Sequence, residues 1–224
     1  MRMKEPTNSS KKPQRINYKF WYWGPFLYHT KITPQECKMI LNEGKKFRKK
    51  SNDYRYELAG HLTEEYKIRD EKKILQWLSK YFESYVVGYR KWRYAKTTDT
   101  PPALRLASLW INYMKAGDFN PPHHHSGDLS FVLFPAVPKQ LIQEKKKYIG
   151  TSGGPGAISW EYGEGKDSHY ITSVDHFPTT GDLFIFPAAL KHWVYPFKSK
   201  GERVSLSGNL TYESLGEDNL KGLY

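Results

Sequence analysis

The chain has 224 residues, enough for one large domain, and its 38% hydrophobic and 16% aromatic content excludes a disordered protein. The formal charge of +12 favours acidic partners but does not specify a fold. The single cysteine, Cys37, excludes an intrachain disulfide framework and fits a reducing compartment such as the cytoplasm. No run approaches the roughly 20 apolar residues that a membrane span requires, so no membrane partner is expected.

Composition divides the sequence into three parts. Residues 1–17 are polar and basic, which predicts a disordered tail. Residues 18–103 contain the aromatic stretch Phe20–Tyr28 and two helical patterns, which predict a strand and supporting helices. Residues 104–224 change to short apolar runs separated by Gly, Pro and Asp, which predict a β-rich core. We expect the last two parts to form one domain.

Two helices are predicted before the β-rich core. The first is expected over Thr33–Lys50, because Thr33 can cap it, Pro34 suits the first helical position and Glu36 completes a capping box. The second is expected over Asp70–Tyr94, where apolar residues recur every three or four positions.

The β-rich core is predicted to be an antiparallel double sheet or jelly roll, because short strands alternate with turn sequences and no helical period intervenes. This makes the chain mainly β with helical N-terminal support. The predicted strands are Leu104–Met114, Leu129–Val137, Ala157–Tyr162, His169–Val174, Asp182–Pro187, His192–Phe197 and Arg203–Thr211.

Three consecutive histidines follow a Pro-Pro pair in "NPPHHHSGDLSF", Asn120–Phe131. In a strand, His123 and His125 point to one side and His124 to the other, so the first two can bind one metal ion. The alternative is a polar loop that is rich in histidine. A metal would need a third ligand from elsewhere, and the candidates are His169, His176 and His192.

His192 has the most suitable surroundings of the three. The segment Thr180–Phe197 reads as a turn, an apolar strand, a bend and a second strand that begins at His192, which would bring this histidine to the mouth of the sheets. His169 and His176 flank a plainer strand and are interpreted as polar residues at strand ends.

Arginine and hydroxyl side chains alternate on the last predicted strand. Arg203, Ser205 and Ser207 can share one inward face, and an arginine with a nearby hydroxyl can bind a carboxylate through two hydrogen bonds. The alternative is an arginine that pairs with a structural acid.

These motifs resemble a known family. The order "WINYMKAGDFNPPHHH" (Trp110–His125), "GDLFIFPAALKHWVYPF" (Gly181–Phe197) and "RVSLSGN" (Arg203–Asn209) is similar to the 2-oxoglutarate- and Fe(II)-dependent oxygenases, in particular those of cyanophages and marine bacteria. The resemblance covers about Leu104–Tyr212, with a weaker echo in Leu58–Ile68. It implies a double-stranded β-helix, a jelly-roll barrel.

The resemblance also implies roles for individual residues. His123 would be the first iron ligand and His192 the distal one. Arg203 would bind the far carboxylate of 2-oxoglutarate with help from Ser205, and Asn112 would face the cofactor. The cofactors implied are Fe(II), 2-oxoglutarate as co-substrate, and O2.

The third iron ligand departs from the family pattern of two histidines and one carboxylate. Strand alternation favours His125, whereas charge favours Asp128, whose carboxylate would neutralise part of the iron charge. We favour His125, and His124 is interpreted as a residue outside the metal's immediate ligands or facing the substrate.

The implied reaction is hydroxylation of an unactivated C–H bond, with prolyl residues of a peptide or protein as the first substrate class by analogy. Two alternatives stay open: a non-catalytic metal-binding jelly roll, and an oxygenase acting on nucleic acid. The second uses the formal charge of +12 and the basic tail. The basic runs Lys45–Lys50 and Glu144–Tyr148 are interpreted as solvated surface, with a nucleic-acid contact as the alternative.

Overall fold

The computed structural model describes residues 24–94, 103–163 and 172–213. The predicted tail of residues 1–17, the beginning of the aromatic stretch Phe20–Tyr28 and His169 lie outside the described residues.

Three helices and ten strands form the described fold, with short 3-10 turns at Lys50–Asn52 and Arg55–Glu57. The helices are α1 (Pro34–Lys45), α2 (Lys72–Tyr94) and α3 (Lys139–Lys147). The strands are β1 (Tyr28–Lys31), β2 (Glu65–Lys67), β3 (Leu104–Met114), β4 (Asn120–His123), β5 (Leu129–Ala136), β6 (Ile158–Glu161), β7 (Ser173–His176), β8 (Asp182–Pro187), β9 (Lys191–Val194) and β10 (Arg203–Tyr212). None of the described helices has the length and apolar character that crossing a membrane requires.

The strands form two sheets. The major sheet has the order β1-β8-β5-β10-β3-β2, and the minor sheet has the order β4-β9-β6-β7. Pairing between the described strands is antiparallel throughout. The predicted mainly β jelly roll is confirmed, although the two sheets are separate hydrogen-bonded units and do not close into a barrel.

The capping of α1 is confirmed. The Thr33 hydroxyl accepts a hydrogen bond from the Glu36 backbone N–H, and the Glu36 carboxylate accepts one from the Thr33 N–H at 2.8 Å. The helix ends at Lys45 and not at Lys50. Just beyond its end the chain turns, and Arg48 binds the carboxylates of Glu64 and Glu202.

The helices α1 and α2 cover the outer face of the major sheet. At Gly44 the helix lies so close to the sheet that an added Cβ would stand 2.2 Å from Ile111 Cδ1. Glycine therefore permits the spacing of this contact.

Alternation along the major sheet separates an apolar outer face from a polar inner one. Val204 and Leu206 of β10 join the apolar cluster under the helices. Arg203 and Ser205 point the other way, into the space between the sheets. A second apolar cluster fills the remainder of that space with residues such as Phe134.

Several elements differ from the sequence prediction. The strand predicted over Phe20–Tyr28 is absent from its described residues 24–27, and β1 begins only at Tyr28. The strands β2 and β4 and the helix α3 were not predicted; α3 is lysine-rich and buries only Leu141, so its pattern is weak. The strand predicted over His192–Phe197 is β9 and ends at Val194, because Pro196 has no N–H to extend the ladder. The strand predicted from His169 is described as Ser173–His176.

Candidate functional site

Three histidines converge between the sheets. His123 on β4 and His192 on β9 are partners across the minor sheet. His125 lies two residues beyond the end of β4. One ligand nitrogen from each ring lies within 4.8 Å of the others. The ring centroids of His123 and His192 are 4.3 Å apart, and those of His123 and His125 are 4.9 Å apart. This spacing suits a single metal ion.

Backbone carbonyls orient two of the imidazoles. The Nδ1 atom of His123 lies 2.7 Å from the Pro121 carbonyl oxygen, and Nδ1 of His192 lies 2.8 Å from the Leu190 carbonyl oxygen. Because a carbonyl oxygen only accepts, each Nδ1 carries the proton, and each Nε2 keeps a free lone pair. This is the usual arrangement behind a metal-binding histidine, so these residues fit a metal ion.

Burial also keeps the histidines neutral, as metal ligands must be. It lowers the pKa of His192 to about 3 and that of His125 to about 4, with a further contribution from His123 in both cases. The pKa of His123 is lowered by the same cause. All three rings are therefore uncharged near neutral pH and present lone pairs.

The structure places Asp128 and His124 outside this cluster. The Asp128 carboxylate accepts a hydrogen bond from the Tyr212 N–H at 2.8 Å, beside the end of β10. His124 is exposed, as strand alternation predicts for the histidine between His123 and His125.

Arg203 lies in the same space and is only 2% exposed. Its Nη1 donates to the Gly156 carbonyl oxygen at 2.6 Å, while Nε has no hydrogen-bond partner among the described residues. Burial lowers the pKa of Arg203 to about 9. No described carboxylate forms an ion pair with Arg203, so the structural-acid alternative is not supported in the described part of the chain. The buried guanidinium is available to an anionic ligand.

A row of polar residues crosses three strands beside Arg203. Glu65, Asn112 and Ser205 are successive partners across β2, β3 and β10. The Asn112 Nδ2 donates to Ser205 Oγ at 3.2 Å, and Asn112 Oδ1 has no partner in the described structure. The predicted residues Asn112 and Ser205 thus lie together with Arg203.

Glu65 was missed by the sequence reasoning. It is 1% exposed, neither carboxylate oxygen has a hydrogen-bond partner among the described residues, and burial raises its pKa to about 7. The only sequence signal was its place in the segment Leu58–Ile68, which echoes the family weakly.

One narrow pocket, open to solvent, is lined by the three histidines, Arg203 and the polar row beside it. Aromatic and aliphatic side chains form the rest of its wall, which makes the pocket mostly apolar with a few convergent polar groups, as is typical of ligand sites. The lining includes Glu65, Trp110, Asn112, Asn120, His123, His125, Phe131, Phe186, His192, Arg203 and Ser205.

The remaining described candidate for a metal ligand, His176, belongs to a different cluster. The buried Asp182 carboxylate lies 3.1 Å from His176 Nε2, 3.0 Å from His29 Nε2 and 2.9 Å from Lys31 Nζ. Hydrogen bonds, from His176 first and then from the Thr179 N–H, hold the pKa of Asp182 well below its usual range. The Lys31 ammonium already supplies a positive charge to the Asp182 carboxylate, so we interpret this cluster as an ion-pair network.

Comparison with known proteins supports the fold. A family model described as "Putative 2OG-Fe(II) oxygenase" matches residues 108–209. No curated protein sequence matches the chain.

Three solved structures share the fold. The viral collagen prolyl hydroxylase of Paramecium bursaria Chlorella virus-1 has a TM-score of 0.52 and 13% identity, over 84% of this chain and 96% of that chain. The Pseudomonas putida prolyl-4-hydroxylase has a TM-score of 0.51 and 13% identity, over 84% and 93%. A Trichoplax adhaerens prolyl hydroxylase, solved with a peptide fragment of hypoxia inducible factor, has a TM-score of 0.52 and 11% identity, over 83% and 82%. At these identities the likeness concerns the fold alone.

A jelly roll with a histidine cluster and a buried arginine in one pocket fits a metal-using oxygenase. The family model of the 2-oxoglutarate- and Fe(II)-dependent oxygenases matches the part of the chain that carries these residues, in agreement with the family that the motifs predicted. Enzymes of this family use Fe(II), 2-oxoglutarate and O2, as the sequence resemblance implied.

Proposed function

We propose that this oxygenase hydroxylates an unactivated C–H bond of a prolyl residue in a peptide or protein. The observation that carries the proposal is the convergence, in a single pocket, of three neutral histidines and one buried arginine that has no ion pair among the described residues. A metal and a dicarboxylate are the ligands that such a pair of groups can bind.

His123, His125 and His192 are the proposed iron ligands. Three protein ligands on one side of the metal leave positions open for the co-substrate and for oxygen. Because all three rings are neutral, they leave the full charge of Fe²⁺ to attract a dianion. Asp128 is not needed for this set, since its carboxylate is engaged with the Tyr212 backbone.

Arg203 and Ser205 are the proposed anchors for the far carboxylate of 2-oxoglutarate. The guanidinium can donate two parallel hydrogen bonds, and its burial strengthens them because water is excluded. When bound, iron and 2-oxoglutarate supply the oxidising chemistry, and the protein supplies positioning and a partly dry pocket.

The substrate class rests on the similar structures and on the pocket wall. The three compared structures are named as prolyl hydroxylases, and one of them holds a peptide fragment. In this chain Trp110 lies at the histidine cluster, with its ring centroid 5.5 Å from that of His125. An aromatic face there suits an apolar ring such as that of proline. The basic runs that suggested nucleic acid contribute no residue to the pocket wall.

Succinate formation tests the activity. The protein is incubated with Fe(II), 2-oxoglutarate and O2, first alone and then with a panel of proline-containing peptides, and each peptide is examined by mass spectrometry. We expect succinate release to rise with one class of peptide, together with a mass gain of one oxygen on proline. Succinate release without any modified peptide would support the oxygenase activity and contradict the proposed prolyl substrate.

Variants test the ligand assignment. His123→Ala and His192→Ala should each lower Fe(II) affinity at least tenfold, and His125→Ala should act similarly, because each removes one ligand nitrogen. Calorimetry under anaerobic conditions gives the affinities. Asp128→Ala is the matched control and should leave iron affinity within about twofold. A larger loss for Asp128→Ala than for His125→Ala would put the carboxylate on the metal.

A further inference from the structure

The buried carboxyl of Glu65 has no hydrogen-bond partner among the described residues and requires an explanation. A buried carboxylate without a partner is costly, and native proteins rarely leave one without a role. Glu65 is nearly inaccessible, lines the pocket and has no hydrogen-bond partner in the described structure for either oxygen. If Gly60 carried a Cβ, that atom would lie 3.1 Å from Glu65 Oε1, so the chain at Gly60 lies close to the carboxyl.

Asn112, the partner of Glu65 on the adjacent strand, also has a buried atom without a hydrogen bond in the described structure, its Oδ1. Asn112 is the β3 partner of Glu65, and directly opposed side chains of neighbouring strands have Cβ atoms about 4.5–5.5 Å apart. The Asn112 Nδ2 group already donates to Ser205, which leaves Oδ1 as the free atom of the amide. Asn112 Oδ1 is an acceptor, and an ionised Glu65 also only accepts. The two can bond only when Glu65 carries a proton.

We propose that Glu65 is a proton-carrying positioning residue for 2-oxoglutarate, acting through a relay of Glu65, Asn112 and Ser205. Protonated Glu65 donates to Asn112 Oδ1, Asn112 Nδ2 donates to Ser205 Oγ, and the Ser205 O–H is left to donate to the co-substrate carboxylate beside Arg203. The relay rests on the proposed role of Arg203 and Ser205 in binding 2-oxoglutarate.

Ionisation of Glu65 reverses the relay. The Asn112 amide then turns its N–H toward the Glu65 carboxylate, and its Oδ1 accepts from the Ser205 O–H. The hydroxyl no longer points to the co-substrate, and a negative charge faces an incoming dianion. Binding of 2-oxoglutarate therefore takes up one proton from solvent onto Glu65 whenever that carboxyl is ionised in the free protein.

The surroundings of Glu65 agree with a carboxyl that holds its proton. Burial is the main cause of its raised pKa of about 7, and Asp118 and Asp53 add negative charge, while Arg55 opposes them but is itself bound to Asp53. Asp118 is held in place by the Thr63 hydroxyl at 3.1 Å. Among the described residues, the other titratable or charged groups that line the pocket with Glu65 are His123, His125, His192 and Arg203. His61 is the chain neighbour of Gly60.

The pH dependence of co-substrate binding tests the relay. Anaerobic titration of the iron-loaded protein with 2-oxoglutarate, followed by the metal-to-ligand absorption band, should show Kd rising roughly tenfold between about pH 6 and pH 8, because only the protonated form binds well. Isothermal calorimetry at about pH 8, in buffers of different ionisation enthalpy, should show uptake of close to one proton per 2-oxoglutarate bound. Tight binding with neither a pH slope nor proton uptake overturns the relay and leaves the proposed function standing. Failure of the parent protein to bind 2-oxoglutarate at any pH overturns both.

Two variants of Glu65 and one control variant test whether Glu65 causes the pH dependence of the 2-oxoglutarate Kd. Glu65→Gln keeps a neutral donor for Asn112 Oδ1, so its Kd should stay low and independent of pH. Glu65→Leu is neutral without a donor and should bind several-fold more weakly at every pH, again without a slope. Glu57→Gln, on the exposed 3-10 turn, is the matched control and should keep the slope of the parent. If the Kd of Glu65→Gln depended on pH as strongly as that of the parent, another group would be titrating and the proposal would be wrong.

Discussion

At the scale of the residue, the site depends on polar groups held in an apolar environment. Burial suppresses the charge of His125 and His192 and lowers the pKa of Arg203, yet Arg203 remains cationic at neutral pH. One end of the pocket therefore offers neutral lone pairs and the other offers a fixed positive charge. This polarity matches a metal at one end and the far carboxylate of 2-oxoglutarate at the other.

The variant Arg203→Lys tests whether the positively charged end of the pocket binds 2-oxoglutarate. Lysine keeps the charge but loses the fork of parallel donors, and a charged hydrogen bond is worth roughly 1.5–3 kcal/mol. We expect 2-oxoglutarate affinity to fall about tenfold or more while Fe(II) affinity stays nearly unchanged. Anaerobic titration measures both. Arg105→Lys, on the exposed edge of β3, is the control and should change neither. Unchanged 2-oxoglutarate binding by Arg203→Lys would make Arg203 a structural residue.

At the scale of the element, local sequence patterns predicted the long elements well. The capping residues of α1, the apolar period of α2 and the alternation of β3 and β10 are strong local signals. The elements α2, β3 and β10 formed close to the predicted bounds, whereas α1 began as predicted but ended at Lys45 and not at Lys50. The short strands β2 and β4 carry too few residues for a period to be visible. Their formation depends on pairing with β3 and β9, which are distant in sequence.

The contact of α1 with the major sheet gives a test at this scale. Gly44→Ala would place a methyl group 2.2 Å from Ile111 Cδ1, so either the buried Ile111 side chain or the helix would have to shift. Overpacking of this kind typically costs about 1–3 kcal/mol, which outweighs the better helix propensity of alanine. Urea denaturation should therefore show a lower free energy of unfolding. Asn42→Ala, exposed on the same helix, should be neutral or stabilising. If Gly44→Ala were as stable as the parent, the close approach would not limit the packing.

At the scale of the whole molecule, the pocket is shared between the two sheets. The proposed iron ligands His123 and His192 belong to the minor sheet, whereas Arg203 and Ser205 belong to the major sheet. A bound iron–co-substrate pair would therefore link the sheets across the pocket. The two ligands should stabilise the fold as one unit.

Calorimetric unfolding under anaerobic conditions tests this coupling. Ligand present at 100 times its Kd stabilises the native state by about 2.7 kcal/mol. We expect Fe(II) to raise Tm, and 2-oxoglutarate to raise it further only when Fe(II) is present, in a single transition. Arg203→Lys should keep the increment from iron and lose most of the increment from 2-oxoglutarate. Two separate transitions would show that the sheets unfold independently.

The sequence by itself predicted the periodic elements, the jelly-roll class and a candidate site of His123, His125, His192, Asn112, Arg203 and Ser205, with Asp128 as the alternative to His125. It could do so because strand alternation sets which side chains share a face, and because the family motifs have a characteristic order. Only the tertiary structure decided which partners complete the site. His125 lies with the other two histidines, and Glu65 is buried beside Asn112. Asp128 instead binds the Tyr212 backbone, and His176 contacts Asp182. These outcomes depend on how strands far apart in sequence pair and on which side chains lose contact with water, and no local pattern records either.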